Sequence, residues 1–161
     1  MSRVLVAGIG NVFLGDDGFG VEVARRLAGG PLPDGVEVLD VGIRGLHLAY
    51  RLLDGYELLI AVDAVARGGA PGTVYVLEPA PGEPAPARPD AHAIDLPSVL
   101  TTARALGAPE ARVLVVGCEP AECVERMGLS DVVERAVEPA AQRVRELARS
   151  GGGTHGVQPQ E

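Results

Sequence analysis

Buried-strand runs alternate with helix-patterned segments along most of this chain, and that alternation constrains its fold more than any other feature. Residues 3–8, RVLVAG, form a short apolar run closed by glycine. Residues 18–29, GFGVEVARRLAG, carry Val21, Val23, Ala24 and Leu27 at near-helical spacing, and Gly29-Gly30 ends the pattern. The same reading places strands at 36–41 (VEVLDV), 57–63 (ELLIAVD), 72–78 (GTVYVLE) and 112–118 (RVLVVGC). It places helices at 45–54, 95–106 and 131–149. This order predicts an α/β sandwich built on a mixed five-stranded sheet. The third run is apolar throughout its interior, as expected of a central strand covered on both faces.

About eight residues separate strand three from strand four. A parallel crossover takes about a dozen or more, so strand four is expected to run antiparallel to strand three, at an edge. Residues 79–91, PAPGEPAPARPDA, are too rich in proline for regular structure, which leaves a surface linker or a loop that reaches a site. Asp95 is expected to cap the helix that follows, with Pro97 in its first turn. Ser130 is expected to cap the last helix and Pro139 to kink it. Residues 1–149 read as one domain and the Gly-rich 150–161 as a disordered tail.

In such sheets ligands lie beyond the carboxyl ends of the strands. That rule selects the loop after strand one and the ends of strands three and five. The loop reads GIGNVFLGDDGFG, residues 8–20. Gly8-Ile9-Gly10 begins like a dinucleotide fingerprint, and Asp40 could stand in for its ribose-binding acid. The third fingerprint position, however, is Phe13, too large for the close helix–strand packing required there. Asp16 and Asp17 would also repel a pyrophosphate. A single helix cap needs neither two acids nor five glycines. Asp17 therefore reads as functional, while Asp16 stays open between a cap and a site role.

Asp63 ends the run LLIAV, where an unpartnered acid is expensive to bury. It reads as a turn residue or as a site residue at the edge of a central strand. His92 lies where the Pro-rich loop meets a helix, so a loop can carry it to the edge that holds Asp17 and Asp63. His47 falls in a helical pattern and His155 in the tail, and neither points to ligation. Two carboxylates and one imidazole suit a hard-to-borderline divalent cation, and the set alone does not choose among nickel, zinc, iron and manganese. Cys118 and Cys123 lack partners to complete a zinc site and read as reduced bystanders.

Composition removes several classes. All 14 basic residues are arginine, which excludes a P-loop lysine and a lysine Schiff base. A net charge of −8 without a basic patch argues against nucleic acid. No apolar run reaches the roughly 18 residues of a membrane span, and nothing resembles a secretory leader. The expectation is a cytoplasmic monomer.

Four segments in order, GIGNVFLGDDGFGVEVA, LLIAVDAV, DAHAIDLPSVL and VVGCEP, resemble the hydrogenase maturation endopeptidases. Those enzymes trim the C-terminal extension from the large subunit of nickel–iron hydrogenase. The resemblance covers roughly residues 3–147. It implies a three-layer α/β/α sandwich with strand order 2-1-3-5-4 and strand four antiparallel. It implies that Asp17, Asp63 and His92 bind a nickel ion that the precursor brings, and that Asp17 or Asp16 serves as base. Asp17 stands where some relatives have Glu, and Ile43 in DVGIRG stands where relatives often have Thr. The alternative is a metal- or dinucleotide-binding module without catalysis. A general peptidase would also cut unrelated peptides.

Overall fold

The computed structural model describes residues 3–80, 95–152 and 158–159. The Pro/Ala-rich segment from residue 81 on, His92, and most of the expected tail lie outside the described residues. The strands are β1 (Val4–Ile9), β2 (Val36–Gly42), β3 (Leu58–Ala64), β4 (Val74–Glu78), β5 (Arg112–Cys118) and the two-residue β6 (Gln158–Pro159). The helices are α1 (Phe19–Ala28), α2 (Gly45–Arg51), α3 (Leu96–Ala105) and α4 (Asp131–Arg149), with 3₁₀ turns at Gly15–Gly18 and Leu52–Asp54.

Strand order is β2-β1-β3-β5-β4-β6. β1 pairs in parallel with both β2 and β3, β3 pairs in parallel with β5, and β4 pairs antiparallel to β5. The expected order 2-1-3-5-4 with a reversed fourth strand is thus the order observed. Beyond it, β6 pairs in parallel with Leu77 and Glu78 at one end of β4. Two residues, Gln158 and Pro159, carry no strand pattern, so β6 is invisible to sequence reading.

Alternation along the strands divides the core into two layers. Val4, Val6, Leu58, Ile60, Val62, Leu114 and Val116 face α1 and α4. Leu5, Ala7, Ile9, Leu59, Ala61, Leu77 and Val115 face α2 and α3. Fully burying one Leu or Ile contributes about 2 kcal/mol, so both layers hold the sheet. Leu58–Val62 is buried at every position, as a doubly covered strand must be.

Two local expectations need correction. Asp95 begins α3, but its carboxylate accepts a hydrogen bond from the Ser98 hydroxyl (2.7 Å) and caps no helix N–H. Ser130 begins α4, yet its hydroxyl is drawn to Asp16 (2.9 Å) and makes no cap bond. α4 continues through Pro139 from Asp131 to Arg149. Pro139 is exposed, so water can satisfy the carbonyl that its missing N–H leaves over.

Candidate functional site

β1 ends in a reversal that only glycine accommodates. Gly10 has φ +137°. A Cβ at that position would lie 1.9 Å from the Asp17 carbonyl oxygen and 3.7 Å from Asp63 Oδ1. Gly10 thus lies between the Asp17 backbone and the Asp63 carboxylate, 46 positions apart in sequence, at the carboxyl edge of β1 and β3. The Asn11 amide donates to Asp17 Oδ2 (2.8 Å), and the Ala64 amide donates to Asp63 Oδ1 (2.8 Å). Asp17 is buried, and Asp63 is partly exposed at the strand end.

Close helix–strand packing is supplied by Gly20. A Cβ there would lie 2.0 Å from the Val62 carbonyl and 2.4 Å from that of Ile9. Phe13 is elsewhere. Its N–H donates to Asn11 Oδ1 (2.9 Å), and its ring is 66% exposed. The fingerprint comparison looked for this glycine seven residues too early. Asp40, its other element, forms an exposed ion pair with Arg25 (3.7 Å).

Asp16 turns away from Gly10. Its Oδ2 accepts from the Ala121 and Glu122 amides (2.8 Å each) and from the Ser130 hydroxyl (2.9 Å), and its Oδ1 accepts from the Ser130 amide (2.7 Å). The side chain is fully buried. Burial alone would raise its carboxyl, but the donors from Glu122, Ser130 and Ala121 together outweigh that and hold it below the usual value. Asp16 does not cap α1, whose N-terminal residue is Gly18. It fastens the loop between β5 and α4 instead.

A third buried carboxylate escaped the sequence reading. Glu119 follows β5 directly, and its Oε1 accepts from the Arg67 and Gly69 amides (2.9 and 3.0 Å) and the Tyr75 hydroxyl (2.8 Å). Burial opposes its ionisation, but the donors from Arg67, Tyr75 and Gly69 prevail and hold its carboxyl low. The Tyr75 phenol is raised by burial and by the neighbouring Glu119. The signal was present: an acid ending a buried run, the same pattern that singled out Asp63. Cys118 precedes it and is buried. Desolvation, with the charges of Asp16 and Glu119 added, pushes its thiol up to about 12.

Of the sequence candidates, Asp17 and Asp63 meet at Gly10, Asp16 faces the neighbouring loop, and His92 lies outside the described residues. His47 is exposed on α2. Among the described residues no three His, Cys, Asp or Glu side chains are grouped to hold a metal ion. None of the helices described is long and apolar enough to cross a membrane.

Comparison with known proteins gives a consistent result. The profile of a hydrogenase maturation protease family (HycI) matches residues 21–147. The chain is 34% identical over 155 residues to the hydrogenase 2 maturation protease of Escherichia coli K12, covering 93% of each chain. It is 37% identical to the hydrogenase expression/formation protein HupD of Rhodobacter capsulatus, covering 92% of this chain and 73% of that one. Among solved structures it resembles the hydrogenase maturating endopeptidase HybD from E. coli, with a TM-score of 0.80 and 33% identity over 93% of this chain and 94% of that one. It also resembles the [NiFe] hydrogenase maturation protease HybD from Thermococcus kodakarensis, with a TM-score of 0.72 and 30% identity over 91% and 99% of the two chains.

Proposed function

Because the chain belongs to the hydrogenase maturation protease family, we propose that it removes the C-terminal extension from a nickel-loaded hydrogenase large-subunit precursor and reads the nickel as part of its substrate. The observation that carries this reading is the placement of both acids at one sheet edge, the Asp17 carboxylate on the Asn11 amide and the Asp63 carboxylate beside Gly10. Hard carboxylate oxygens from two separate loops make half of a set that a borderline divalent cation accepts, and His92 is assigned as the nitrogen donor. The nickel arrives with the precursor, so docking is firm only after metal loading.

Peptide hydrolysis then needs a polarised carbonyl and a place for one proton. A nickel ion held by Asp17, Asp63 and His92 would supply Lewis acidity toward the scissile carbonyl. Water adds through its oxygen to the carbonyl carbon and gives a proton to Asp17. The C–N bond breaks as that proton passes to the leaving nitrogen. Asp16 is assigned a positioning role, because both its oxygens accept bonds from the 121–130 segment.

The test is gel-mobility assay of precursor cleavage by the wild type and by Asp17→Ala, Asp63→Ala and His92→Ala. The wild type should cut nickel-loaded precursor and leave nickel-free precursor and unrelated peptides uncut. Each variant should lose activity by a factor of about 100 or more, as loss of a general base or of a metal-positioning group implies. Full cleavage by all three variants would refute the assignment.

A further inference from the structure

We propose that Phe13, Val124 and Met127 form the docking surface for an apolar segment of the precursor beside the bond that is cut. The proposal rests on the substrate reading above and says where that substrate is gripped.

The chain has two Phe and two Met, yet one of each stands on the surface. Phe13 is 66% exposed, Met127 62% and Val124 52%. They belong to two loops that are zipped together. The Arg126 amide donates to the Phe13 carbonyl (3.0 Å), and the Gly15 amide donates to the Arg126 carbonyl (2.8 Å). These bonds make a one-residue parallel bridge between Leu14 and Arg126. Phe13 and Met127 each adjoin that bridge, one on either loop, and Val124 lies two residues before it. Asp16 fastens the base of both loops, so the apolar groups are held in place before anything binds. Such preorganisation lowers the entropic cost of association.

Position identifies the occupant. Phe13 is two residues from Asn11, whose amide holds Asp17 Oδ2, so a chain laid against Asp17 passes this surface. Exposed Phe and Met beside an arginine are the composition of interface anchors. A second copy fits worse. A stable dimer covers about 800 Å² on each partner, far more than three side chains offer, and two chains of charge −8 repel. An extended segment needs only a few apolar contacts at alternate positions.

The experiment compares Phe13→Ser, Met127→Ser and the double variant with Leu106→Ser, an exposed apolar control at the end of α3. Each is assayed across a concentration series of nickel-loaded precursor, with the melting temperature measured in parallel. The expected result is a KM raised about tenfold in the double variant, with kcat, melting temperature and the Leu106→Ser kinetics unchanged. An unchanged KM in the double variant overturns the proposal. So does a fall in kcat alone, or an equal loss in the Leu106→Ser control. A wild type that sediments as a dimer, with a monomeric double variant of unchanged KM, assigns the surface to a second copy and also overturns it. Failure of the wild type to cut any precursor defeats the substrate reading itself. Cutting by the wild type with undiminished variants defeats only the docking surface.

Discussion

Two adjacent acids in one loop have different tasks, and hydrogen bonds distinguish them. Asp16 spends both oxygens on three amides and a hydroxyl, while the Asp17 side chain binds the Asn11 amide beside Gly10. Replacing Asp16 with Ala removes the acceptor of three part-buried amides and a hydroxyl, so urea unfolding should show a loss of about 3 kcal/mol at pH 7. The pH dependence has a definite sign. A carboxyl held low in the fold contributes stability above its unfolded value, near 4, and that contribution is lost as pH falls through the folded value. The difference between wild type and Asp16→Ala should therefore shrink from pH 7 toward pH 3. A difference that stays constant over that range would contradict the clamp. Cysteine reactivity offers a second check. With its thiol pushed up to about 12, Cys118 should resist a thiol reagent until the protein unfolds, while partly exposed Cys123 reacts in the native state. At this scale the sequence marked Asp17 through a doubled acid among five glycines and Asp63 through its place at a strand end. It left Asp16 undecided, because its partners at 121, 122 and 130 are more than a hundred residues away. Glu119 was legible in principle, since an acid closing a buried run needs a partner wherever it occurs.

Elements were read well where periodicity is strong. β5 has the bounds its apolar run suggested, and α4 spans its expected range because eight buried side chains recur on one face. The signals that misled were capping residues, Asp95 and Ser130, because a short polar side chain takes whichever partner the tertiary structure brings nearest. Contact between α1 and the sheet depends on Gly20, which no helix propensity would favour. Gly20→Ala drives a methyl into the carbonyls of Val62 and Ile9, at a cost of about 3 kcal/mol. Thermal melting should fall by about 6–12 °C, and a melting temperature equal to the wild type would show that α1 can shift freely on β1 and β3.

The whole molecule follows from one short connection. β3 and β4 are too close in sequence for a crossover, which forces the reversed strand. β1 has β2 on one side and β3 on the other, so the loop after it opens at the point where the winding changes direction. The reversed fourth strand was legible in the connection length and the order 2-1-3-5-4 through the family resemblance, whereas β6, two residues long, was not. Both apolar layers share the same strands, and neither can melt while the other stays intact. Calorimetry should show one transition whose calorimetric and van't Hoff enthalpies agree, and two resolved transitions would argue against a single cooperative unit.

The pair of buried anions flanking Cys118 has one more effect. Soft sulfur binds nickel tenaciously, but only as thiolate. Burial, with the charges of Asp16 and Glu119 added, keeps the proton on Cys118, so the sulfur at the end of β5 is no thiolate ligand for a soft metal ion.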